Sequence, residues 1–125
     1  MQSRSGNLAL MANGFPYAIA AQGAYSNRAC SAFIGDGGFS MLMAEFATCV
    51  KYRLPVKVAI IKHNSLGMIT WEQMIFLGSP EYGCDLQSID FAGFTRACGE
   101  TGFTISKTPL NAARFWTRHE RLRAR

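Results

Sequence analysis

Residues 29–69 read ACSAFIGDGGFSMLMAEFATCVKYRLPVKVAIIKHNSLGMI, and the fold is decided there. Residues 30–34 (CSAFI) are a short apolar run that stops abruptly at Gly35-Asp36-Gly37-Gly38. From Ser40 to Tyr52 the apolar positions Leu42, Phe46, Cys49 and Val50 recur at helical spacing, so a helix beginning near Phe39 is expected. Leu54-Pro55 closes it, because proline cannot continue a helix and biases the preceding residue away from α. Residues 56–61 (VKVAII) are β-branched and bounded by polar groups, the pattern of a buried parallel strand. Strand, helix and strand within about forty residues make a βαβ unit, whose crossover should be right-handed.

That topology locates the chemistry. In an open parallel sheet, ligands bind beyond the carboxyl ends of the strands. Asp36 and Asn64 each lie just past a strand end, so one crevice receives both although they are 28 positions apart. A carboxylate, an amide oxygen and a close backbone approach suit a hard cation with oxygen ligands. The start of the helix offers N–H groups and a positive dipole end to an anion beside that cation. Mg²⁺ with an anion indicates a phosphate ester. The alternatives are plain: Asp36 as an exposed turn residue, and Asn64 as a loop residue that tolerates a left-handed backbone.

Gly35-Asp36-Gly37, a spacer of the usual length and Asn64 resemble the thiamine diphosphate motif of the pyruvate oxidase and acetolactate synthase group. The resemblance covers residues 6–105. Residues 6–21 (GNLALMANGFPYAIAA) are similar to the loop and helix that precede the motif. Ser65-Leu-Gly-Met-Ile69 and Trp71-Glu-Gln73 resemble the segment that follows it. Residues 89–94 and 102–105 are similar to the next helix and strand. The implied fold is a three-layer, Rossmann-like α/β domain, a parallel sheet with helices on both faces. Residues 1–105 would form the diphosphate-binding domain and 106–125 a basic tail.

The resemblance also implies roles. Mg²⁺ would be held by Asp36, the Asn64 side-chain oxygen and the Leu66 backbone carbonyl. Gly35, Gly37 and Gly38 would let the backbone approach the diphosphate of thiamine diphosphate. Met11 would sit beneath the bent cofactor, with backbone groups near Ala9 and Met11 pairing with its aminopyrimidine edge; ordinary core packing is the other reading of Met11. Gly67 and Met68 would line the substrate side. Met68 and Trp71 fit a pocket wall, a core position or a subunit contact equally well.

Two departures from the family pattern stand out. Ala12 replaces a usual glycine, and would be strained if that position requires a positive φ. His63 stands where the family often has asparagine, and reads as a neighbour of the ligands that leaves the site intact.

The implied activity is decarboxylation of a 2-oxo acid of the pyruvate kind. The catalytic residue is unknown within this chain. In the family a glutamate on a separate pyrimidine-binding domain activates the cofactor, and Glu45, Glu72, Glu81, Glu100 and Glu120 all lie outside any segment resembling it. There is also no middle domain to carry FAD. The chain is therefore expected to be a fragment, with little turnover alone and dependent on a pyrimidine-binding partner in a homo- or hetero-oligomer. The acceptor stays open: a second 2-oxo acid, phosphate, a quinone or a proton. Two other readings compete, a non-catalytic Mg²⁺–diphosphate module and a basic-tailed interaction protein whose GDG is only a turn.

Composition limits these readings. A chain of 125 residues, 49% hydrophobic and 12% aromatic, has room for one domain and enough apolar material for a core. The net charge of +5 comes wholly from residues 106–125, which hold six Lys/Arg and one Glu; residues 1–105 hold seven of each sign. Nucleic-acid binding is therefore disfavoured, and the Arg-rich ending fits a truncated or altered terminus. Thr108-Pro109 is nevertheless a helix start, and the residues after it can form a basic amphipathic helix. Four cysteines without a C-x-x-C favour a reducing, cytoplasmic setting over a disulfide framework.

No apolar run approaches the length of a membrane span. Residues 4–24 loosely imitate a signal peptide, but Asn13-Gly14-Phe15-Pro16 interrupts them. They read better as a loop whose Pro16 opens a helix over 17–23. Further on, residues 78–88 are turn-rich and expected to loop over the site. Asp90 should cap a helix ended by Gly99, and residues 103–105 should be a third strand.

Overall fold

The computed structural model describes residues 9–78 and 81–105. The remaining resemblance at 6–8 and the whole basic tail lie outside these residues. The chain divides at Ile89/Asp90 into two units.

The first unit is built on the expected βαβ frame. Strands β1 (Ser31–Gly35) and β2 (Lys57–Ile61) run parallel, in register from Ser31↔Lys57 to Gly35↔Ile61. Helix α1 (Gly14–Ala24) precedes them. It starts three residues earlier than the sequence suggests, because Pro16 occupies the first turn, where its missing N–H has no intrahelical acceptor to lose. Buried Gln22 then fastens the turn between α1 and β1: its Nε2 donates to the Arg28 carbonyl at 3.0 Å, and its Oε1 accepts from Cys30 N–H at 3.2 Å.

The crossover is broken, where one helix was expected. Helix α2 (Asp36–Met41) starts at the aspartate of the motif itself. Leu42 leaves helical geometry at φ −131°, a 3₁₀ turn covers Met43–Glu45, and α3 spans Phe46–Lys51. Its end is a left-handed cap: Arg53 takes φ +50°, and Leu54 N–H reaches the Cys49 carbonyl at 2.9 Å.

The core follows from this geometry. Ala32 and Ile34 point from one face of β1 towards Phe15 and Ala18 of α1 and Phe39 of α2, all buried. Phe15 lies 5.3 Å from Phe39 and 6.1 Å from Phe46 between ring centroids, so three aromatic rings hold α1, α2 and α3 together. On the other face of β1, Phe33 is 69% exposed. The architecture is α/β with a parallel sheet, as expected. The described residues of this unit supply helices to one face of β1.

Helix α4 (Gly67–Leu77) follows, mainly apolar and without a buried residue. In the second unit, α5 (Phe91–Ala97) is capped as the sequence predicts. Asp90 Oδ1 accepts from Gly93 N–H at 2.9 Å, and Gly99 takes φ +89° after the last turn. The third strand does not form: residues 101–105 carry no strand, and the sheet among the described residues has two members. A β-like run becomes a strand only beside a partner, and this unit holds none among its described residues. Instead the chain folds back on α5, where Gly102 meets the Ala92 carbonyl so closely that a Cβ has no room.

Candidate functional site

The centre of the site is Asp36, 5% exposed and therefore no surface turn residue. It ends β1 and begins α2, and its carboxylate faces the loop after β2. Oδ2 accepts from the backbone N–H groups of His63 at 3.1 Å and Asn64 at 2.6 Å, while Oδ1 accepts from Gly37 N–H at 3.1 Å. A single side chain thus ties the ends of both strands together across 28 positions.

Asn64 adopts φ +57°, the left-handed conformation that asparagine tolerates best among residues with a Cβ. Its main chain is fully used: the N–H goes to Asp36 and the carbonyl accepts from Leu86 N–H at 2.9 Å. Its side-chain Oδ1 is buried and has no partner. An acceptor buried without a hydrogen bond costs about 1–3 kcal/mol. That cost is relieved by a cation, which needs an acceptor and no proton.

The loop after β2 is braced from outside by residues 81–86. Ser65 and Asp85 form an antiparallel bridge, and Leu66 N–H donates to the Cys84 carbonyl at 2.8 Å. The predicted loop over the site is therefore a paired strap. It is fastened in turn by Gln73 of α4, whose Nε2 and Oε1 bond the Tyr82 carbonyl and N–H at 2.9 Å each. Gln73 and Leu86 were not read as site residues from the sequence. The available signal for Gln73 was an amide side chain in a mainly apolar helix segment.

The other expected residues fall as follows. Leu66 caps α4, and its carbonyl accepts Thr70 N–H at 3.0 Å, so a single lone pair is left for a metal. Gly37 and Gly38 both pack too closely on neighbouring groups to take a side chain freely. A Cβ on Gly37 would stand 3.0 Å from Leu86, 3.1 Å from Leu66 and 3.4 Å from Met11 side-chain carbons. One on Gly38 would stand 2.7 Å from the Met11 carbonyl. The Met11 loop is thereby brought against the start of α2.

Gly35 has open space around its Cβ position. A Cβ on Gly67 would stand 3.2 Å from His63 Nε2. Met68 is 70% exposed and Trp71 is exposed too, which removes the core reading for both. The condition for strain at Ala12 is not met, since Ala12 is not among the positive-φ residues; Ala9 is, at φ +45°. The turn before α1 is thus made three residues earlier than the motif glycine suggests.

The described glutamates take no part in this centre; Glu45, for one, accepts from Thr48 Oγ1 on its own helix face. No group of three His, Cys, Asp or Glu side chains suited to a metal occurs among the described residues. A cation here would rest on mixed oxygen donors. All four cysteines are free thiols. No helix among the described residues is long and apolar enough to cross a membrane.

Comparison with known proteins agrees with this geometry. Residues 1–115 match the thiamine pyrophosphate enzyme family, C-terminal TPP-binding domain. The chain is 43% identical over 115 residues to YdaP of Bacillus subtilis, described as a thiamine pyrophosphate-containing protein, covering 92% of this chain and 19% of the relative. It is 36% identical over 104 residues to the acetolactate synthase large subunit of Pyropia yezoensis, covering 82% of this chain and 18% of that one. To the sulfoacetaldehyde acetyltransferase of Castellaniella defragrans it is 31% identical over 93 residues, 74% of this chain and 16% of the relative. The chain therefore spans less than a fifth of the length of these relatives.

Proposed function

The chain belongs to the thiamine pyrophosphate enzyme family, matching its C-terminal TPP-binding domain, and on that premise we propose that it grips the cofactor's diphosphate through Mg²⁺ held by Asp36 and Asn64. The observation that carries this reading is the buried, unpartnered Oδ1 of Asn64, a residue whose backbone N–H is bonded to the buried Asp36 carboxylate. Asp36 Oδ2 is occupied by two backbone donors, so Oδ1 is the oxygen with capacity left. Leu66 offers the second lone pair of its carbonyl. Mg²⁺ keeps few protein ligands and takes the rest from phosphate and water, which suits so sparse a set.

Around that cation the chain's work is to bind and orient. The glycines at 37 and 38 admit the Met11 loop, whose backbone from Ala9 onward would meet the aminopyrimidine edge. Gly67 and Met68 begin α4 on the side where substrate would enter. When bound, thiamine diphosphate supplies a carbon nucleophile that adds to a 2-oxo acid and accepts the electron pair released with CO₂. The reaction proposed is decarboxylation of a pyruvate-like acid in an acetolactate synthase-like enzyme.

The activating carboxylate would come from a pyrimidine-binding domain outside this chain. One observation supports a further surface on this chain: α4 presents seven large apolar side chains to solvent, from Met68 to Leu77. The cytoplasmic setting belongs to the same proposal and is supported by the free thiols.

Titration calorimetry of thiamine diphosphate, with and without Mg²⁺, tests the reading. Binding should require Mg²⁺ and weaken on the order of 100-fold, about 2.7 kcal/mol, in Asp36→Asn. Binding by the folded chain that ignores both Mg²⁺ and the substitution would overturn it, as would no binding at all. Adding a pyrimidine-domain partner then separates an enzyme half from a non-catalytic module, since only the former gains decarboxylation.

A further inference from the structure

His63 is the residue at the centre that the cofactor reading leaves idle. Its backbone N–H is committed to Asp36 Oδ2. Its imidazole is 59% exposed, holds Nε2 3.2 Å from where a Cβ on Gly67 would stand, and brings Nδ1 to 3.9 Å from Asp36 Oδ1. That oxygen is the one with spare capacity: of about four acceptor positions on a carboxylate, three are taken by N–H groups, and the open one is on Oδ1.

The distance decides what the pair can do. A hydrogen bond from an imidazole to a carboxylate needs about 2.7–3.2 Å, so 3.9 Å is too long for one. Two donors each about 2.1 Å from the same ion stand at most about 4.2 Å apart, so 3.9 Å is within the span of one cation. Donors at right angles on one such ion stand about 3.0 Å apart, so the exposed ring would close on Asp36 by about 0.9 Å from its 3.9 Å separation. Asn64 Oδ1, on the next residue, is the buried acceptor still without a partner.

Resting on the cofactor reading above, we propose that His63 is a nitrogen ligand of the cation at Asp36 and Asn64, and that the site therefore favours a divalent ion that binds imidazole well, such as Co²⁺, over Mg²⁺. Carboxylate, amide and carbonyl oxygens alone suit Mg²⁺. One imidazole among them moves affinity towards the transition metals, in the order Mn²⁺ below Co²⁺. Gly67 takes part indirectly, because a side chain there would press on the ring at Nε2.

The test uses the full chain with thiamine diphosphate and Mg²⁺, Mn²⁺ or Co²⁺ in parallel titrations, comparing the native protein with His63→Asn and His63→Gln. Both variants keep the backbone donor to Asp36, so the carboxylate stays in place. The preference for Co²⁺ over Mg²⁺ should fall about tenfold in each variant. Electron spin-echo spectra of the Mn²⁺-loaded protein should show a directly bound nitrogen that both substitutions abolish. An unchanged preference and unchanged spectra, with Asp36-dependent binding intact, would overturn the role of His63 and leave the cofactor reading standing. Loss of all Asp36-dependent cation binding in the native chain would overturn both.

Discussion

Two glycines three positions apart should respond to alanine with opposite signs. At Gly38 an added methyl would stand 2.7 Å from the Met11 carbonyl oxygen and 3.2 Å from Ile34 Cγ2. The first contact is backbone, so relief requires moving the Met11 loop or the start of α2 by more than half an ångström. Overpacking of this kind costs about 1–3 kcal/mol, and a rigid neighbour places it in the upper half of that range. Replacing glycine inside a helix returns about 1 kcal/mol of propensity. The net for Gly38→Ala is a loss of about 1–2 kcal/mol, or roughly 5–10 °C in Tm for a domain of this size.

Gly35 is extended at φ −69°, ψ 156°, a conformation alanine adopts freely, and nothing lies within 4 Å of its Cβ position. Gly35→Ala should therefore stabilise by about 0.4–1 kcal/mol, through the unfolded chain alone. Thermal and denaturant unfolding followed by circular dichroism reads both. Equal stability of the two variants, or a Gly35→Ala loss matching that of Gly38→Ala, would refute the packing of the Met11 loop on α2.

Two further substitutions probe the strap and the second unit. Gln73→Leu removes both side-chain hydrogen bonds to Tyr82, worth about 1–2 kcal/mol together. Amide exchange at Leu66, Tyr82 and Leu86 should then accelerate about 5- to 30-fold, and unchanged protection would show that Gln73 does not hold the strap. Asp90→Ala removes the cap of α5 and should cost about 1 kcal/mol, while Asp90→Asn, which keeps an acceptor for Gly93, should stay near the native value. The exposed Arg96–Asp90 pair at 3.7 Å contributes little to that comparison. A loss in Asp90→Asn equal to that in Asp90→Ala would argue against the cap.

What was legible in the sequence was what local chemistry fixes. The two strands, the turn at Gly35-Asp36-Gly37 and the meeting of Asp36 with Asn64 all followed from apolar runs, a helix-breaking proline and the topology of a parallel sheet. The cap at Asp90 and the left-handed Gly99 followed from residue type alone. What escaped depends on contacts between distant segments. Two glycines in its first turn hid the true start of α2, because periodicity registers only once side chains recur. The break at Leu42 has no marker in the residues around it.

The strand expected at 103–105 needed a neighbour that the described residues of its unit do not provide. Ala12 needs no positive φ, and the left-handed residue of its loop is Ala9. Gln73 became recognisable only when residues 81–86 were seen to run beside 64–66, so that its amide had a main chain to imitate.

Helix α4 has a consequence for the protein as a solute. Met68, Ile69, Trp71, Met74, Ile75, Phe76 and Leu77 all face water, with Phe76 80% exposed. A contiguous apolar surface of this kind promotes association between molecules. The isolated chain should therefore behave as a colloid whose apparent size and melting temperature depend on concentration. Two of the seven residues carry thioethers, and slow air oxidation turns an apolar thioether into a polar sulfoxide. Ageing thus interrupts the sticky surface at Met68 and Met74, and an old preparation should scatter less light and bind less hydrophobic dye than a fresh one.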